Sequence, residues 1–248
     1  MRTDRAVSEV LGYVLVISLV TVMIATVMTL GVSGLYDSQS AEQTANMERA
    51  FDVMADNFKQ MYAGEAPSRA TEMRMVEGHI RYGDPVFVDV EVDGERLGNM
   101  TIQSNPIVYD NDQGTVISYE AGAVVRDDRG EHVMLNEPSF YLDTEEMLII
   151  GIRTRPLSGS TDRINSPRTV LIRGDGLRQS SANNVAQETT NITVISDRSG
   201  AWEAFFEQQN IENAEIHRNG NEVTLSHEPE ETTEVTIVER RIRTSFSN

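Results

Sequence analysis

From Val10 to Val32 the chain runs for 23 residues, VLGYVLVISLVTVMIATVMTLGV, without one side chain charged at neutral pH. A helix of that length covers roughly 30 Å, the thickness of a bilayer core. Soluble helices of this length normally keep a polar face, so the run predicts a membrane span over about residues 10–32. Thr21, Thr26 and Thr29 do not oppose this, because their hydroxyls can return to the helix backbone. Tyr13 falls near one end, where an interfacial ring is tolerated. A secretory signal peptide is the competing account, with Gly31–Gly34 supplying small residues for a cut, although the run is longer than a usual signal core.

Arg2 and Arg5 precede the run and favour a cytoplasmic N-terminus, with the large C-terminal part outside. Past the run the helical rhythm persists. Met47, Phe51, Met54, Phe58 and Met61 recur every three or four residues, and Ala50, Ala55 and Tyr62 widen the stripe. Glu42, Glu48, Arg49, Asp52, Asp56 and Lys59 occupy the other side, and Gly64 and Pro67 end the pattern. One long helix is expected from about residue 9 to 62, its second part burying a single stripe as core.

After Pro67 the character turns extended. Val86, Val88, Val90 and Val92 alternate with Phe87, Asp89 and Glu91, and Asp93-Gly94 marks a turn. Further short runs at 115–119, 121–126, 147–152, 169–172, 191–195, 222–225 and 234–238 suit antiparallel sheets better than βαβ units. Met147–Ile152 is apolar on both faces and predicts a central strand. One late helix is expected at 200–209, capped by Ser199, with Trp202, Phe205 and Phe206 facing inward. The fold class expected is α+β: a long N-terminal transmembrane and amphipathic helix, then a mainly antiparallel, sandwich-like β-rich domain over 67–248. That domain forms one β unit or two stacked lobes, with the polar stretch 174–190 as the long surface loop or boundary.

Charge bounds the partners. The chain has 39 acidic and 21 basic residues, a formal net charge of −18, and no cysteine. Lys59 is the single lysine. The acids are scattered rather than gathered into a tail, as expected of a surface built for very salty water, where the screening length falls to about 3 Å. Such a balance opposes nucleic-acid binding, since a phosphate backbone would be repelled. Disulfide staples, cysteine–zinc sites and cysteine nucleophiles are excluded. Arg240, Arg241 and Arg243 make a small basic end, read either as solvated strand-edge charge or as a salt-bridge contact with an acidic neighbour.

No catalytic, cofactor or metal set emerges. His79, His132, His217 and His227 are scattered without metalloprotease spacing, and no G-x-S-x-G elbow occurs. Asp110–Gly114 resembles the start of a calcium loop, but loop position twelve falls on Ala121, so a polar β-turn is expected. Asn99-Met-Thr101 and Asn191-Ile-Thr193 are N-glycan acceptors on an exported domain.

The residues before the apolar run carry a resemblance. Asp4-Arg5-Ala6-Val7-Ser8-Glu9-Val10-Leu11-Gly12 is similar to the class III signal of haloarchaeal type IV pilin-like proteins, approximately D-R-A-V-S-P-V-I-G. Arg49–Asn57 and Ala66–Glu72 also resemble uncharacterised relatives of that group. The resemblance implies a prepilin peptidase that recognises Arg5, Ala6 and Val7 and cuts between Ala6 and Val7, releasing the leader 1–6 and retaining the helix 7–64. It further implies other pilin-like subunits as partners through that helix, in a lipid bilayer, with the β-rich head at the cell surface or in a pilus. Glu9 departs from the usual proline. It stands as an assembly contact to the Val7 amine, or as a hydrated headgroup-layer carboxylate. Against the pilin-like expectation stand a monomeric membrane-tethered binding module and, more remotely, an exported hydrolase with a dispersed acidic site.

Overall fold

A computed structural model describes residues 3–247, apart from the side chains of residues 3–10, 30–37 and 177. The chain divides between Ala45 and Asn46 into two compact units. One helix, α1, is assigned over Thr3–Tyr62 and contributes to both.

In the first unit α1 includes Leu11–Thr29, long and apolar enough to cross a membrane. Its side chains are exposed throughout, and none of the described residues buries them. The hydroxyls of Thr21, Thr26 and Thr29 donate at 2.8 Å to the carbonyls of Ile17, Val22 and Ala25, hiding their polarity within the helix. As a membrane anchor or a signal sequence, this segment has the length and composition required.

The second unit is mostly strand. In chain order these are β1 (Ser68–Met75), β2 (His79–Tyr82), β3 (Val86–Val92), β4 (Glu95–Ser104), β5 (Ile107–Asp110), β6 (Thr115–Glu120), β7 (Ala123–Asp128) and β8 (Glu131–Asn136). There follow β9 (Ser139–Leu142), β10 (Glu146–Pro156), β11 (Arg163–Asn165), β12 (Arg168–Ala186) and β13 (Thr190–Ile195). A short helix, α2 (Ser199–Gln208), precedes β14 (Ala214–Asn219), β15 (Glu222–His227) and β16 (Thr233–Ser247). They build three sheets, ordered β1-β12-β16-β10-β9, β11-β2-β5-β6-β7-β8 and β14-β15-β13-β3-β4. Among the described residues β10 and β16 are the one parallel pair, and the other pairs are antiparallel. The α+β class is therefore observed: an N-terminal apolar helix followed by a mostly antiparallel β-rich domain.

Local chemistry explains the hairpins. β3 buries Val86, Val88, Val90 and Val92 and turns its other residues outward, then reverses through Asp93 (φ 50°) and Gly94 (φ 80°). Positive φ at both centres is the two-residue turn whose twist matches the flanking strands. Asp93 also accepts the amides of Gln187, Glu188 and Thr189, which ties this turn to the β12–β13 connection.

Two hydrophobic cores form, and the strand parity of the first sheet says how. On β16, Val235 and Ile237 enter one core, and Ile242 and Phe246 enter the other. On β10, Met147 and Ile149 enter the first, and Ile152 the second. Successive side chains on a strand point to opposite faces, so the change from odd to even numbers puts the cores on opposite faces of one sheet. In β12 even-numbered residues serve both cores, because a register shift at Gly176 inserts one extra residue and turns the strand over.

One core is lined by Met47, Phe51, Met54, Phe58 and Met61 of α1, against the first and second sheets. Gly174 lies where an added Cβ would stand 2.8 Å from the Phe58 ring, so glycine lets the helix approach β12. The other core joins the third sheet and α2 to the first sheet, with Trp202, Phe205 and Phe206 buried as expected.

Three expectations need correcting. Residues 174–190 are neither a long loop nor a lobe boundary, since β12 continues to Ala186, paired with β16 down to Thr233. The polar composition there reflects solvent on an exposed strand, and the two cores share their longest strands instead of splitting. Ser199 is not a helix cap: its hydroxyl donates to the Gly220 carbonyl, and the cap position is Arg198, without a side-chain cap bond. The strand over Met147–Ile152 is central as expected, between β16 and β9, but it pairs in parallel with β16 instead of antiparallel and runs on to Pro156.

Candidate functional site

The candidate sites read from the sequence fall in three places. The side chains of Arg5, Ala6, Val7 and Glu9 lie outside the described residues; their backbone belongs to α1. Asn99 is exposed on β4 with φ 49°, a left-handed position that asparagine tolerates. Asn191 is half-buried on β13, paired on both sides, and its Oδ1 accepts from Ser226 Oγ at 2.6 Å. Of the two asparagines in acceptor motifs, only Asn99 has an open side chain.

Among the described residues a histidine converges with two acids at one turn. His79 on β2 is the cross-strand partner of Asp110 on β5. Its Nδ1 is 3.2 Å from the Asp112 carboxylate. One donor atom each from His79, Asp110 and Asp112 lies within 4.8 Å of the others, a set able to hold a divalent cation with three protein ligands. The same turn is also closed by its own bonds: Asp110 Oδ1 accepts the Asp112 amide, and Asn111 Oδ1 accepts the amides of Gln113 and Thr115. This is the polar turn that the sequence predicted for 110–114. His132 lies 3.7 Å from Asp127, His217 pairs with Glu215 on the surface, and His227 meets the Thr233 hydroxyl at 3.3 Å.

One buried charge network was not foreseen. Glu120, at the end of β6, is wholly buried. It accepts from Ser118 at 3.1 Å, Ser196 at 2.7 Å, Arg198 at 3.1 Å and the Trp202 indole at 2.8 Å. Four donors compensate the desolvation of one carboxylate and fix the start of α2 on the second sheet. The signal available in the sequence was Glu120 before Ala121-Gly122, an acid entering a tight turn between apolar strands.

The second ionic cluster involves the basic end. Arg153 is opposite Arg241 across the β10–β16 pair, Arg155 is opposite Arg243, and Arg178 of β12 is opposite Arg241. Directly opposed residues share a face, so five guanidinium groups stand together on the first sheet. Glu239, 1% exposed, anchors two of them, accepting from Arg153 at 2.8 Å and from Arg241 at 2.6 Å. Burial pushes the Glu239 carboxyl up, but Arg241 and Arg153 together outweigh it and hold it below the usual range. Arg155, Arg178 and Arg243 are exposed and make no ion pair or side-chain hydrogen bond among the described residues. With Gly176 and Ile242 these five arginines line a concavity of about 390 Å3.

Opposite in sign is a concavity of about 510 Å3 lined by Glu145, Glu212, Glu230, Glu231 and Glu234, with His227 at its wall. All five carboxylates are exposed. Spacing alone could not have found either cluster, because each draws on strands far apart in the chain.

Comparison with curated proteins and with solved structures finds no match. A family model does match, over residues 5–245, from the turn before the apolar run almost to the end of β16. The chain belongs to that family, described as a family of unknown function (DUF7289).

Proposed function

We propose that this is a membrane-anchored, pilin-like surface protein that displays its β-rich unit outside the cell and assembles with like subunits through α1. The observation that carries the reading is Leu11–Thr29, whose apolar side chains are exposed along the whole segment. Such a surface requires lipid or other apolar helices. Gly12, Ser18 and Ala25 are small enough to allow close helix packing there. The class III-like residues Asp4–Ser8 add a processing step, with the cut between Ala6 and Val7 on the cytoplasmic side. The acidic, lysine-poor composition suits a head displayed in saline surroundings. No convergent catalytic constellation among the described residues favours the hydrolase alternative.

Mass spectrometry of the native N-terminus tests the reading. A chain beginning at Val7 and retained in the membrane fraction is expected, and replacing Arg5 and Ala6 should leave the leader attached. A native chain that is soluble and begins beyond residue 32 would overturn it, because α1 would then be a discarded signal.

A further inference from the structure

The two oppositely charged concavities draw on opposite ends of the same three strands, and the acidic one also takes Glu212, Glu230 and Glu231 from the connections beside β14 and β15. Arg153 and Arg155 stand towards the end of β10, and Glu145 immediately precedes its start. Arg241 and Arg243 stand towards the end of β16, and Glu234 is its second residue. Arg178 and Val185, from the two clusters, both lie on β12. The nine residue-to-residue steps from Glu234 to Arg243 span about 30 Å of strand, too far for the clusters to neutralise one another within one chain.

We infer that the arginine concavity of one copy receives the acidic concavity of a second copy, in a head-to-tail contact between β-rich units. Charge complementarity selects this occupant: five arginines on a chain of net charge −18 meet five carboxylates gathered around the opposite end of β10 and β16. Their places at opposite ends of β10 and β16 let neighbouring copies join end to end. The surfaces differ, so the contact is heterologous and leaves one arginine end and one acidic end open for further copies. Guanidinium groups suit the task, since their fork donates two parallel bonds to a carboxylate. Arg153 and Arg241 are already held by Glu239, which leaves Arg155, Arg178 and Arg243 as the groups free to reach across. In saline water the charges act only in direct contact, because screening removes longer-range attraction. The contact supplies the head surface for the assembly reading above, on which it rests for its setting.

The test uses the full chain in detergent micelles or native membranes. The sequence contains no cysteine, so Leu157→Cys with Thr232→Cys places one thiol beside each concavity and leaves all ten charges in place. A bismaleimide should then give a ladder of dimers, trimers and higher species. Reversing charge in Arg178→Glu with Arg243→Glu, or in Glu230→Arg with Glu231→Arg, should each reduce the ladder by at least about tenfold. Mixing the two reversed variants should restore it, since each supplies the partner the other lacks; this recovery also shows that both are folded. A product stopping at dimer, a ladder indifferent to charge reversal, or no recovery on mixing would overturn the inference. Binding of inorganic phosphate at the arginines without any ladder would overturn it too, leaving a small-anion site. The N-terminus of the same samples separates the two claims. Ladders from a chain with its leader intact would sink the processing reading and keep the contact; a chain starting at Val7 without ladders would do the reverse.

Discussion

The core under α1 and the core under the third sheet are built from different materials. The first is filled by Met47, Met54, Met61, Met73 and Met75 with Phe51, Phe58, Tyr109 and Tyr119. Its charges are kept to the rim, where Arg126 pairs with Glu48 at 2.7 Å and Lys59 donates to Asn136. The second is built largely from stiff β-branched chains, Val86, Val88, Val90, Ile192, Val194, Val223 and Ile237, around the aromatic group of α2. Beside its aromatic group lies the buried Glu120. Flexible methionines let a helix settle against two sheets, whereas a buried carboxylate with four donors allows α2 essentially one seat. The seat of α1 is filled by volume with its polar bonds at the rim, whereas α2 has its bonds inside the core.

The sharpest way to break this contrast is Glu120→Ala. It leaves Arg198 and the Trp202 indole without their acceptor and should cost about 3–5 kcal/mol, read from denaturant unfolding of the full chain in detergent. Glu120→Gln keeps the shape and part of the bonding, so it should cost clearly less. Equal losses for the two would show that packing, and not charge, holds α2.

Phe58→Ala should come next. It removes a ring packed edge-on against Tyr119 with centroids 5.3 Å apart, at a cost of about 3–5 kcal/mol if the cavity does not collapse. Met54→Leu in the same stripe should cost less than about 1.5 kcal/mol. Adding a methylene to the stiff core, as in Val194→Leu, should cost about 1–3 kcal/mol. A Met54→Leu loss as large as that would contradict the plasticity of the helix seat. Gly174→Ala probes the same seat from the strand side, and about 1–3 kcal/mol is expected because Phe58 must yield.

Acid should act in the same direction on Glu239 and Asp93. Both carboxyls are held below their ordinary values, Glu239 by Arg241 and Arg153 against the opposing effect of burial, and Asp93 by the amides of Thr189, Glu188 and Gln187. Their stabilisation is complete above the unfolded carboxyl pKa of about 4 and is lost as pH falls through the lower folded values. Arg241→Gln weakens the pull on Glu239 and narrows the gap between its folded and unfolded values, so the acid-induced fall in thermal midpoint should become smaller. An unchanged fall would mean that Arg153 alone anchors the carboxylate.

How legible all this was in the sequence varied with the range of the interaction. The stripe of Met47, Phe51, Met54, Phe58 and Met61, the alternation of Val86–Val92 and the Asp93-Gly94 turn are local patterns and appear as expected. The polar residues of β12 misled because a solvent-facing strand and a loop share a composition; only its partner β16 distinguishes them. Asn99 and Asn191 carry the same acceptor motif, but Ser226 bonds to one of them, which the motif does not encode.

By itself the sequence determined what depends on neighbours along the chain: an apolar segment fit for a membrane, a striped helix, and short half-buried strands under a strong negative charge. Tertiary structure alone decided which face of the first sheet each core takes, and it brought Glu120 to Arg198 and gathered five arginines into one concavity. The reason is physical. Periodicity is set by bond geometry within a few residues, whereas register and charge clustering depend on pairings between strands that the chain does not place side by side.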